Sequence, residues 1–185
     1  MKITYDRLVT QVDSQRKCYC IMSNPYDSRH VANVIIDTAN EMGREVSIMR
    51  LLKLAYMAHG WNLALHKEPL VNDYVQAWRY GPVIPSIYFS FRPHGIYNLP
   101  RIELPHEPET EDYVHILIRR VHITYENMND ARLSRLTHIE GGPWHTCYKP
   151  GIHGIIIPNE LIEEHFSGKI RRFRNRERRR EIAAA

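Results

Sequence analysis

The sequence predicts a mainly α domain, compact and helical, with a few short β segments. Three observations carry this expectation. Apolar residues recur at helical spacing in several separate stretches. Glycine and proline pairs interrupt the chain between those stretches. The clearest alternating run, Val75-Gln76-Ala77-Trp78-Arg79-Tyr80, is short.

Taken in order, residues 1–25 have mixed polarity and no clean period, and they read as a lead-in that adds a strand or a helix to the domain edge. Their Cys18-Tyr19-Cys20 is a poor metal signature without a second cysteine pair. Asn24-Pro25-Tyr26-Asp27-Ser28 then signals a helix start, with Asp27 or Ser28 as cap. Val31, Ile35 and Ala39 form its stripe, and Gly43 closes it in left-handed geometry. Ser47 caps a second helix running from Ile48 to about Leu65. That helix is apolar nearly all round, which places it at the centre of its domain. Arg50, Lys53, His59 and Asn62 take its polar remainder, and Gly60 is expected to let another helix pack closely. The short connection predicts that the two helices form a hairpin.

The stretch Tyr74 to Tyr88 carries the densest punctuation. The run to Tyr80 reads as extended, Gly81-Pro82 forces a sharp turn, and Pro85 suits the first turn of a helix that buries Ile84, Ile87, Tyr88 and Phe91 and stops at Pro93 and Gly95. This elbow is either a buried corner between core elements or a frame that presents Trp78, Tyr80 and Tyr88 for docking. Residues 95–108 read as loop. Val114, Leu117, Ile118, Val121 and Tyr125 mark a helix that begins at Asp112, and Asp130 is the expected cap of a short helix through Leu136. Gly141-Gly142-Pro143 makes a second bend ahead of Trp144. Ile152 to Ile157 is β-like, and Pro158-Asn159-Glu160 opens a final helix bearing Leu161, Ile162, His165 and Phe166. Beyond Gly168 the chain is expected to be a basic, disordered tail, residues 169–185, solvated or helical only transiently.

The chain has 185 residues, 43% hydrophobic and 25% charged, enough for one domain with a core. No apolar run reaches the ~20 residues that span a bilayer, and no signal peptide is expected at the N-terminus. Three cysteines suit a reducing cytoplasm without a disulfide framework. The net charge of +4 is unevenly distributed. Between Lys169 and Glu181 eight Lys/Arg face two Glu, a balance of +6, so the remainder carries −2. The body therefore lacks the basic surface of a nucleic-acid binder. Nucleic-acid contact is left to the tail, through Arg171, Arg172, Arg174, Arg178 and Arg179, with Phe173 as its sole aromatic.

No catalytic constellation stands out, and no enzyme activity, metal or cofactor is expected. His138, His145, Cys147 and His153 fall close together but match no zinc template. His145 or His153 beside Cys147 lacks an orienting Asp or Asn nearby. His59 and His66 read as surface or partly buried hydrogen-bonded histidines. Glu107-Pro108-Glu109-Thr110-Glu111-Asp112 reads as a solvated loop and helix start.

Three motifs in order and spacing carry a family resemblance: Leu51-Leu52-Lys53-Leu54-Ala55-Tyr56-Met57-Ala58-His59-Gly60-Trp61, then Ala77-Trp78-Arg79-Tyr80-Gly81-Pro82-Val83-Ile84-Pro85, then Leu136-Thr137-His138 with Pro143-Trp144. From about Tyr26 to Phe166 the chain resembles the Panacea domain, the SocA-like antitoxin domain also found in phage-associated proteins of the GepA type. The resemblance implies a helical domain, residues 26–168, that neutralises a toxin encoded beside it by direct binding, one relative handing its toxin to a ClpXP-type protease. The alternative is a phage or prophage counter-defence or regulatory protein whose tail touches nucleic acid. The expected partner-binding residues are Trp78, Tyr80, Gly81, Pro82, Pro85, Tyr88, His138 and Trp144, with the aromatics as anchors and the glycine and prolines holding the shape.

Overall fold

The computed structural model describes residues 25–184, with side chains through residue 182; the lead-in, with Cys18 and Cys20, lies outside that range. Among the described residues the domain is mainly helical with a small sheet. Asp27 accepts from the Arg29 amide (2.8 Å) and caps α1, Ser28–Glu41. Gly43, at φ +65°, ends that hairpin arm as expected. Ser47 accepts from the Arg50 amide and caps α2, Ile48–His66. The chain then forms β1, Val75–Trp78, and β2, Gly81–Val83, followed by α3, Pro85–Phe91, and a 3-10 turn, Arg92–His94. Next come α4, Asp112–Tyr125, α5, Asp130–Thr137, and α6, Pro143–Cys147. Finally β3, Ile156–Ile157, leads into α7, Asn159–Ala184.

The three strands form one antiparallel sheet in the order β2-β1-β3. Pro82 lies on its edge strand, where the missing N–H leaves no ladder bond broken. The elbow is thus a hairpin rather than a bend between a strand and a helix, with Gln76 opposite Val83, Ala77 opposite Pro82 and Trp78 opposite Gly81.

Helix α2 is the axis, packed by α1, α4, α5, α7 and β2. Because neighbours surround it, its polar residues are buried too: Lys53, His59 and Asn62 lie fully inside. This corrects the surface or half-buried placing of His59, whose Nε2 pairs with Asn159 Oδ1 at 3.0 Å. The cap of α5 is also corrected. Asn129 accepts from the Arg132 amide (2.9 Å), whereas Asp130 pairs with Arg50 at 3.4 Å and accepts from Ser47.

The last helix differs most from the sequence expectation. It does not stop at Gly168, because Ile162, Phe166, Ile170 and Phe173 continue one apolar stripe at i+4, i+4 and i+3 against the core. A tail tied down at Ile170 and Phe173 carries its helix onward through residues of good propensity. Gly60 receives this helix: a Cβ built on it would lie 2.3 Å from the Phe166 ring, which packs edge-on to Trp61 at 5.1 Å. Gly60→Ala should therefore destabilise the fold by overpacking, by about 1–3 kcal/mol, although alanine is the better helix former. Urea denaturation should show a lower midpoint at unchanged slope; an unchanged or higher midpoint would mean that α7 is free to shift.

Candidate functional site

The hairpin β1–β2 is held by side chains from three helices. Counting along its backbone, the carbonyls of Trp78, Tyr80 and Pro82 each accept one side-chain donor. Trp144 Nε1 of α6 donates to Trp78 (2.8 Å), Ser134 Oγ of α5 to Tyr80 (3.0 Å) and Lys53 Nζ of α2 to Pro82 (3.0 Å). Gly81 is required twice over. Its φ of +106° excludes other residues at low cost, and a Cβ there would lie 2.6 Å from Thr137 Oγ1 and 2.8 Å from Lys53 Nζ.

Lys53 is 0% exposed. Among the described residues the Pro82 carbonyl is its one hydrogen-bond partner, and no carboxylate pairs with it. Desolvation lowers its pKa from 10.5 to about 7. Beside it, Thr137 Oγ1 donates to the Ser134 carbonyl (2.7 Å). That carbonyl also faces His138 Nδ1 at 2.6 Å, so Nδ1 carries the proton. The His138 ring lies 3.9 Å from that of Trp144, which stacks on Tyr148 at 4.5 Å.

The two bends expected to meet do meet, but their residues divide by exposure. Gly81 and Pro82 are buried, and Trp144 is only 8% exposed, its indole facing inward. Trp78, Pro85, Tyr88 and His138 are half-buried. Trp78 packs edge-on to Tyr88 (5.0 Å) and Phe89 (6.0 Å), and its Nε1 donates to Gln76 Oε1. Tyr80 stands out at the hairpin tip, 61% exposed, with the Arg79 guanidinium 5.5 Å above its ring. Beside Tyr80 a groove of about 620 Å³ runs between the start of α2 and α5, lined by Met49, Tyr80, Ile96, Tyr97, Ala131 and Arg135 among others. Phe89, Ile96 and Tyr97 are exposed as well.

Sequence reasoning missed Lys53, Ser134 and Thr137 as supports, and Phe89 and Tyr97 as exposed rings. Lys53 had one signal, the single lysine in a helix apolar on most of its faces. Of the other chemistry-bearing residues, His145 and His153 are exposed. Cys147 is half-buried, and burial pushes its thiol pKa up, away from a thiolate. Among the described residues no three His, Cys, Asp or Glu side chains converge as metal ligands, and no helix is long and apolar enough to cross a membrane.

The sequence profile described as "Antitoxin SocA-like, Panacea domain" matches residues 51–145, a span from α2 through the hairpin to α6. The antitoxin SocA of Caulobacter vibrioides is 33% identical over 154 residues, covering 76% of this chain and 82% of that relative. No solved structure matches the chain.

Lys53 gives the site a pH signature. Its folded pKa, about 7, is depressed below the unfolded 10.5, so between these values the unfolded chain binds more protons and stability rises with pH. Lys53→Met removes the titrating group with little change in volume. Relative to the variant, the parent should gain on the order of 2 kcal/mol between pH 7 and pH 9, read as the difference between their urea-unfolding profiles. Parallel profiles would mean that the ammonium stays protonated in the folded state.

Proposed function

The chain belongs to the Panacea family of SocA-like antitoxins, and from that premise we propose that it neutralises a protein toxin by binding it directly with the exposed side of the hairpin. The observation that carries this reading is a surface of solvent-facing rings on an over-determined backbone. Tyr80 at the tip, Phe89 on α3 and Tyr97 across the groove are exposed, while the strands beneath them are tied to three helices. Rigid aromatics give up little entropy on binding and bury large areas. Tyr80, Ile96 and Tyr97 share one groove, and monomeric proteins seldom leave such an apolar patch without a use.

Within this proposal the sequence-predicted residues take two roles. Tyr80 is the contact anchor, with Trp78 and Tyr88 forming the half-buried wall behind it. Gly81, Pro82, Pro85, His138 and Trp144 fix the shape from within. The setting is the cytoplasm, the toxin is encoded in the adjacent reading frame, and transfer of the bound toxin to a ClpXP-type protease is the second step that the family resemblance supplies. A phage or prophage counter-defence protein would use the same face against a different effector.

The decisive variant is Tyr80→Ala, because its ring is exposed and its loss leaves the three carbonyl contacts intact. With the product of the adjacent reading frame as probe, Tyr80→Ala should weaken binding by at least 30-fold, the scale of an interface hot spot, and abolish rescue of growth on co-expression. Its melting temperature should match the parent's. Trp78→Ala should lose binding as well, with some loss of stability. Parent-like binding by Tyr80→Ala would remove the hairpin tip from the interface.

A further inference from the structure

The geometry points to a second binding element: the exposed face of α7, beyond its anchored first half, docks in the major groove of double-stranded DNA. The apolar stripe Ile162, Phe166, Ile170 and Phe173 fixes which side of α7 faces the body. At 100° per residue, Asn175 falls almost opposite the midpoint of that stripe. Arg171 and Arg178 lie roughly 50° to one side of Asn175, Arg172 and Arg179 roughly 50° to the other, and Arg176 about 100° round on that same side. All six side chains are exposed. Among the described residues none of these five arginines has an ion pair, whereas Arg180 is held by Glu177 at 2.7 Å. Glu177 and Glu181 fall on the stripe side, away from the arginine face.

Two rows of guanidinium groups flanking one amide match a B-form major groove. A helix fits that groove, phosphates line both of its walls, and an asparagine at its floor makes a paired contact with adenine N6 and N7. Guanidinium is also the side chain best suited to phosphate. The body carries a −2 balance against +6 in Lys169–Glu181, so the attraction is confined to this helix. An RNA duplex is disfavoured because its major groove is too deep and narrow to admit side chains. A lipid surface is disfavoured because the exposed side offers only one large apolar residue to insert among the described residues, Ile182.

The test uses the full chain and fluorescence anisotropy, with a 20-bp DNA duplex, an RNA duplex of the same sequence and anionic lipid vesicles as probes. The DNA duplex should bind at least tenfold more tightly than the RNA. Replacing Arg171, Arg172, Arg178 and Arg179 together with Gln should weaken DNA binding at least tenfold and reduce the slope of log K against log salt by about 3–4. Selection from a pool of random DNA duplexes should enrich an adenine-containing sequence, and Asn175→Ala should lose that preference while retaining general affinity. These substitutions are exposed and should leave the melting temperature and the hairpin's protein partner unaffected, which keeps this test separate from the antitoxin reading. Equal binding of RNA, binding of vesicles alone, or no binding of DNA overturns the groove assignment. A selection profile unchanged by Asn175→Ala overturns the base contact.

Discussion

One buried lysine organises the hairpin end of this protein. Lys53 sits inside the central helix with the Pro82 carbonyl as its hydrogen-bond acceptor. A buried amine without an acceptor is costly whether charged or neutral, so an oxygen is needed within its reach. That requirement fixes Pro82, and through Pro82 the edge of the sheet. It also explains why residue 81 has no side chain: the space a Cβ would take already holds Lys53 and Thr137. The burial that lowers the lysine's pKa therefore also dictates the hairpin's position.

The remaining contacts extend this logic outward. Trp144 and Ser134 hold the two neighbouring carbonyls, and His138 and Tyr148 hold Trp144. An indole that faces inward to one carbonyl is a support, while the rings that reach solvent are Tyr80, Phe89 and Tyr97. The molecule separates the residues that make its shape from those left facing solvent. In α7 the same separation is made by helical phase, with apolar side chains inward and arginines outward.

Much of this was legible in the residues, and what was not had physical reasons. Gly60 announced close packing, and Phe166 occupies the space. Gly81-Pro82 announced a bend, and the backbone turns there at φ +106°. Ser47 announced a cap, and its hydroxyl accepts the Arg50 amide. The second strand was not legible, because Gly81-Pro82-Val83 is short and has no alternation of its own. The interior placing of Lys53 depends on Pro82, 29 residues away, and that of His59 on α7, through Asn159 a hundred residues away. The length of α7 was masked by charge: eight basic residues between Lys169 and Glu181 hid the spacing of Ile170 and Phe173.

The three ties on the hairpin join residues 29, 54 and 66 positions apart along the chain. Contacts of such separation incur loop-closure entropy before they return any energy. The three ties consequently cannot be complete until α2, α5 and α6 are all present around the hairpin. A chain without α5 loses the Tyr80 tie and one without α6 loses the Trp78 tie, so a fully tied tip certifies that these distant helices have assembled around α2.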